Sequence, residues 1–246
     1  MLLIGGGSRP DVIIDKMIEL SQGAILVIPL ASEIPQEVAE SIKAQLESRG
    51  ANSVKVFSCD HTQRDLPECL QEIRKAGLIF FTGGSQARLL DGLNKTKSLS
   101  LIRQRFEKEN LSISGTSAGT AIMSEVMLTG NTISPYTSFD GIRPNMVETT
   151  QGFGFLKKVI LDQHFLKRSR QNRLISSVMD HPHLVGVGVD EATAILVHED
   201  ESFTVLGESS VMVIDARKAR IGIRNAVYET TGVEIQLLSH GQSARF

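Results

Sequence analysis

The stretch Gly115-Thr116-Ser117-Ala118-Gly119 sets one serine among small residues, with the apolar Leu111-Ser-Ile before it and the helical pattern Thr120-Ala-Ile-Met-Ser after it. A serine that attacks a carbonyl must stand clear of its own chain. A sharp strand-to-helix turn achieves this, but it crowds the backbone so that only small neighbours fit, which is the physical content of the G-x-S-x-G pattern. The first N–H groups of the following helix would point at the serine with positive dipole character, making the Ala118 N–H a ready oxyanion donor. The same five residues also read as a tight connection with an idle serine. Chemistry therefore needs a base and an acid from elsewhere in the chain.

Six histidines are available as base. His61 lies in a polar loop, His181 and His183 flank Pro182, His198 opens a charged turn and His240 lies in the tail. His164 differs, because it follows the apolar run Lys158-Val-Ile-Leu161 and precedes a basic helical pattern. That places it at the carboxyl end of a strand, where open α/β sheets build their sites. A third group should fix the tautomer of the imidazole and stabilise its cation. Asp190-Glu191 ends the apolar run Val185–Val189, and adjacent strand residues face opposite ways, so one of the two reaches the site. Asp162, two residues before His164, is a third candidate, and the residues alone do not rank the three.

Two further glycine turns follow short apolar runs. Gly5-Gly6-Gly7 matches neither the dinucleotide fingerprint nor a P-loop ending in Lys-Ser/Thr. In Phe81-Thr-Gly-Gly-Ser-Gln-Ala-Arg-Leu-Leu90, Gly83-Gly84 offer N–H groups as a second oxyanion donor, with Gln86 free to face a ligand. A plain strand–helix connection would use the same residues.

The elements that must carry these groups are legible from periodicity. Ala24–Pro29 and Leu78–Thr82 are continuous apolar runs of the kind buried in parallel sheets, while Ser53–Phe57 alternates and belongs nearer an edge. Between them, Val38, Ile42 and Leu46 give helical spacing over Pro35–Arg49, closed by Gly50, and Leu66, Leu70 and Ile73 do the same over 66–76. Arg168–Met179 reads as a helix, Leu184–Val197 as strand, short turn and strand, and Ser202–Ile214 as an antiparallel extension of the sheet. Strand–helix alternation of this sort predicts an α/β layered sheet with right-handed crossovers.

Composition narrows the partners. The 246 residues, 41% hydrophobic, suffice for one domain over 1–246 with a sizeable core. With 26 basic and 28 acidic residues there is no basic stripe for nucleic acid, and the longest apolar runs are far too short to span a membrane. Met1-Leu-Leu-Ile runs straight into glycines, without the form of a secretory signal. Cys59 and Cys69 lack metal-type spacing, so the expectation is a reduced cytoplasmic protein in which a disulfide is disfavoured.

Four segments, Thr82-Gly-Gly-Ser-Gln86, Gly115-Thr-Ser-Ala-Gly119 with Met123-Ser-Glu-Val-Met127, Asp162-Gln-His-Phe-Leu-Lys-Arg-Ser-Arg-Gln-Asn-Arg-Leu174 and Gly186-Val-Gly-Val-Asp-Glu-Ala-Thr-Ala-Ile-Leu-Val197, together resemble the serine peptidase family of cyanophycinases and aspartyl dipeptidases. The similarity runs from about Leu2 through Asp215 in the same order. It implies a single three-layer α/β domain of the class I glutamine amidotransferase, or flavodoxin-like, kind with a mainly parallel sheet and an antiparallel C-terminal extension. It implies a Ser-His-Glu triad of Ser117, His164 and Glu191, with Gly84 and Ala118 as oxyanion donors. Gln86, Asp162, Gln163, Arg168, Arg170 and Arg173 match positions that bind or shape the site for a β-linked Asp-Arg unit, for which guanidinium forks facing carboxylates are sensible chemistry. No metal or organic cofactor is implied; the partner is a peptide substrate, and the assembly a homodimer. The expected activity is an exopeptidase cleaving aspartyl peptide bonds, with cyanophycin foremost. The alternatives are another α-aspartyl or isoaspartyl peptide, or a catalytically silent binding homologue. Ser85 stands where these enzymes usually carry an acid, Ser8-Arg9-Pro10 departs from the acid expected after the first glycine turn, and Asn131–Glu148 looks peculiar to this chain or its subgroup.

Overall fold

Leu2, Leu3 and Ile4 are all buried, yet Leu3 packs with one side of the molecule and its two neighbours with the other. In the computed structural model, which describes residues 1–246, they form β1 (Leu2–Ile4), the middle of a three-layer arrangement. There follow α1 (Asp11–Leu20), β2 (Ala24–Ile28), α2 (Pro35–Ser48), β3 (Val54–Val56), α3 (Pro67–Lys75), β4 (Ala76–Phe81), α4 (Gln86–Leu93), α5 (Lys97–Lys108) and β5 (Ser112–Thr116). The strands pair in parallel in the order β3-β2-β4-β5-β1, with β3 at the edge as its alternation predicts. Ile25, Val27, Leu78 and Phe80 face α1 and α2; Leu26, Ile28, Ile79 and Phe81 face the larger core with α3 and α5. Period-two alternation thus serves two buried faces, which is why these strands read as unbroken apolar runs.

The remainder of the chain forms α6 (Ala118–Ala121), β6 (Val126–Thr132), β7 (Val147–Gln151), β8 (Val159–Gln163), α7 (Gln171–Asp180), β9 (Val185–Val189), β10 (Thr193–Val197), β11 (Ser202–Gly207), β12 (Val211–Asp215), β13 (Arg220–Arg224), β14 (Val227–Thr231), β15 (Glu234–Leu238) and β16 (Ser243–Arg245). β10, β11 and β16 add antiparallel strands beside β1, giving eight in all. The predicted extension over Ser202–Ile214 is split, however. β12 joins a second sheet, β15-β12-β9-β8, in which β8 and β9 are parallel. β9 and β10 therefore make no hairpin: the chain crosses between sheets through Asp190-Glu191-Ala192. Val187, Val189 and Leu161 face the main core, while Ile160 and Ile214 pack with Leu174 and Val178 of α7.

Two further features stand apart from the sequence reading. Asn131–Glu148 spans the ends of the β6–β7 hairpin and a loop that docks on α7, where the Asn172 amide donates to the Phe139 carbonyl (2.9 Å) and the Asn145 N–H to Asp180 Oδ1 (2.9 Å). Cys59 and Cys69, expected to be reduced, are joined as a disulfide. The polar loop after β3 folds back onto α3 and sets their Cα atoms 6.1 Å apart, a separation that a disulfide spans. No helix is long and apolar enough to cross a membrane.

Candidate active site

β5 runs out at Thr116 and α6 starts at Ala118, so Ser117 must turn the chain alone, with φ 53° and ψ −112°. Its N–H donates to the Ile4 carbonyl (3.0 Å), tying the elbow to β1. The bracketing glycines are sterically required: a Cβ on Gly115 would lie 2.3 Å from the Gly119 carbonyl oxygen, and one on Gly119 2.3 Å from that of Phe81. Backbone strain of this kind is held only where its surroundings over-determine it.

His164 follows β8 in the left-handed region (φ 49°), its N–H donating to the Gly5 carbonyl (2.8 Å). Its Nε2 lies 2.9 Å from Ser117 Oγ, and its Nδ1 2.6 Å from Glu191 Oε1. A carboxylate only accepts, so Nδ1 carries the proton toward Glu191 and the Nε2 lone pair faces the serine hydroxyl. Burial lowers the His164 pKa; the bond to Glu191 works against this, and the nearby Arg168 and Arg170 reinforce it. The shift favours the neutral imidazole, the form able to accept a proton from Ser117.

The three candidate acids separate cleanly. Glu191 meets the ring. Asp190 faces away from it, accepting the Lys167 N–H (2.9 Å) and the Ser209 hydroxyl (2.7 Å). Asp162 is fully buried and forked to Arg173, whose Nε donates to Oδ2 (2.7 Å) and whose Nη2 meets Oδ1. Asp162 and Arg173 therefore neutralise one another behind the site, with the Arg173 guanidinium over the Phe139 ring (5.8 Å), and neither forms the wall of the cleft.

Gln163 and Arg170 come closer to the reacting atoms. Gln163 Oε1 is 3.3 Å from Ser117 Oγ and accepts from Arg170 Nη1 (2.8 Å), which also donates to the Gln163 carbonyl (2.7 Å). Burial, with Arg173 adding to it, pushes the Arg170 pKa down to about 10. Arg168 is exposed on the rim. Gln86 gives its amide to the Leu128 carbonyl (3.3 Å), and Ser85 caps α4 by accepting the Arg88 N–H (3.3 Å). The Gly84 N–H has no acceptor within the protein, and the Ala118 N–H is the first of α6, where helical donors lack an intrahelical partner.

These groups open into a cleft of about 650 Å³, lined by Ser117, His164, Gly84 and Arg168 and, across from the elbow's own segment, by Arg9 and Glu37. Gly6 and Gly7 pack against the site in a way the sequence did not disclose. A Cβ on Gly6 would lie 2.3 Å from His164 Cε1, and one on Gly7 2.9 Å from Glu191 Oε2, so this turn is the floor beneath imidazole and carboxylate. The available clue was their place directly after a buried strand. No three His, Cys, Asp or Glu side chains converge as a metal site.

Residues 1–205 match peptidase family S51. The cyanophycinase of Geminocystis herdmanii is 34% identical over 196 residues, covering 78% of this chain and 70% of that protein. The cyanophycinase of Nostoc sp. is 36% identical over 202 residues, covering 79% and 64%. The chain thus spans about two thirds of the length of these relatives. The crystal structure of a peptidase from an acI-B1 Actinobacterium superposes with a TM-score of 0.72 at 21% identity, covering 100% of this chain and 96% of that one.

Proposed function

The chain belongs to peptidase family S51, and from that membership we propose that its chemistry runs through Ser117 as nucleophile, His164 as base and Glu191 as orienting acid. It is a serine-type peptidase. As Ser117 Oγ attacks the peptide carbonyl, its proton passes to His164 Nε2 at 2.9 Å, and Glu191 stabilises the imidazolium across 2.6 Å. The charge gathering on the carbonyl oxygen meets the unpaired N–H groups of Ala118 and Gly84. Collapse of the adduct expels the amine, which takes the proton from His164. Water then repeats the sequence and frees Ser117.

The substrate reading favoured here is an aspartyl peptide bond in cyanophycin, cleaved as an exopeptidase. The likeness to cyanophycinases supports it, and the observation that carries the mechanism is the unbroken hydrogen-bonded line Ser117–His164–Glu191. Ser85, a neutral helix cap where an acid is expected, favours a second reading: another α-aspartyl or isoaspartyl peptide. Incubation with cyanophycin, β-Asp-Arg-bearing peptides and α-Asp dipeptides, following released amines, separates the two. Turnover should be highest on cyanophycin and should fall by at least about 10⁴-fold in Ser117→Ala, the scale seen when a triad member is removed. Activity retained in that variant rejects the nucleophile, and turnover confined to the other peptides selects the second reading.

A further inference from the structure

Arg9 reaches the cleft from the turn after β1, two residues beyond the glycines that floor the imidazole and carboxylate. Its Nε donates to Gln45 Oε1 on α2 (2.7 Å), which pins the guanidinium to the wall and leaves both terminal nitrogens without a partner. The side chain is half-buried, and burial lowers its pKa with no acid close enough to counter it. Glu37 lines the same cleft but makes no ion pair with Arg9. The N–H groups of Gly6 and Gly7 are equally unpaired, and Arg168 on the rim is a second cation without a carboxylate. Taking a guanidinium partly out of water without a counter-charge is costly, so a ligand that brings an anion to Arg9 would offset that cost.

We propose that Arg9 is a specificity-determining residue that takes a carboxylate of the peptide substrate, so that the enzyme selects peptides bearing a free carboxylate beside the scissile bond. This rests on the peptidase reading, because it is the nucleophile that gives the cleft its substrate. A pinned guanidinium presents its two terminal nitrogens as a fork matched to the two oxygens of a carboxylate, which an ammonium does not. The carboxylate can come from an aspartyl side chain or from the chain terminus.

Calorimetric binding to the Ser117→Ala protein tests this without turnover. The three probes are an aspartyl tripeptide with a free C-terminus, its asparaginyl analogue and its C-terminal amide. Arg9→Gln should weaken the first at least about tenfold, the scale of losing a hydrogen bond between charged groups. Arg9→Lys, which keeps the charge and loses the fork, should weaken it less. The loss should vanish for the asparaginyl peptide if the side chain is held, or for the amide if the terminus is. Equal affinity of all three peptides with Arg9 intact, or an equal loss for all three in the variants, overturns the proposal. The peptidase reading fails separately, on absent turnover and absent fluorophosphonate labelling of Ser117 in the unaltered protein.

Discussion

At the scale of single residues, the central quantity is the proton on His164. With His164 as the proposed base, only the unprotonated ring can accept from Ser117, so activity should be lost as pH falls through its pKa. Burial sets that pKa low, against the pull of Glu191, and places the acid limb of kcat/KM below about pH 6.5, the ordinary histidine value. Arg168 disfavours the imidazolium, so Arg168→Ala should move the limb upward. Glu191 favours it, so Glu191→Gln should move the limb downward and cut the rate by roughly 10²- to 10⁴-fold as ring orientation is lost. A pH–rate profile of the three proteins checks both signs, and a limb that neither substitution moves would reject His164 as the base. The sequence could nominate His164 from its place after an apolar run, but it left Asp162, Asp190 and Glu191 equal because all three lie at strand ends. What separates them is side-chain direction: toward the ring for Glu191, toward Lys167 and Ser209 for Asp190, toward Arg173 for Asp162.

At the scale of elements, two glycine turns do different work and should fail differently. Alanine at Gly115 drives a Cβ to 2.3 Å from backbone that cannot give way. A cost of about 1–3 kcal/mol, at roughly 2–4 °C per kcal/mol for a chain of this size, lowers the melting temperature by about 2–12 °C. Alanine at Gly6, where φ is +116°, meets instead the His164 ring, which can move. There kcat should drop by about 100-fold or more, the effect of displacing a reacting group by about 1 Å, with a smaller fall in melting temperature. Thermal melts beside steady-state rates distinguish the two, and an unchanged kcat in Gly6→Ala would remove that turn from the site. The elbow and the strands β2, β3 and β4 were readable because each is a local pattern of size or period. The second sheet was not. β12 pairs with β9, and β8 with β9, across long stretches of chain, and an apolar run carries no mark of which sheet will receive it.

At the scale of the whole molecule, the proposed nucleophile Ser117 follows a strand of one sheet, His164 follows a strand of the other, and Glu191 lies where the chain passes between them, so their distances depend on the seam. The His164 N–H to the Gly5 carbonyl (2.8 Å) crosses it, and the Ala192 N–H to the Gly6 carbonyl (3.0 Å) holds the connecting segment that carries Glu191 against the turn after β1. Asp190 fastens the second sheet's end of the seam, through Lys167 and Ser209. The disulfide between Cys59 and Cys69 lies instead by the edge strand β3, and a spacing of ten residues neither required nor excluded it. Burial works to raise the Asp190 pKa, yet the bonds from Lys167, Ser209 and neighbouring N–H groups prevail and hold it below the ordinary value. A carboxyl with a depressed folded pKa adds stability that is present above the unfolded pKa, about 3.9, and is lost as pH falls through the folded one. Asp190→Asn should therefore cost about 1–3 kcal/mol at neutral pH, the scale of a buried donor left without its charged acceptor, and the gap from the unaltered protein should close as pH drops below about 4. Denaturant midpoints measured at neutral pH and stepwise toward pH 3, compared at equal m-value, read this directly. A gap that stays constant across that range would mean the Asp190 charge does not hold the seam, and that the triad's spacing rests on the backbone bonds alone.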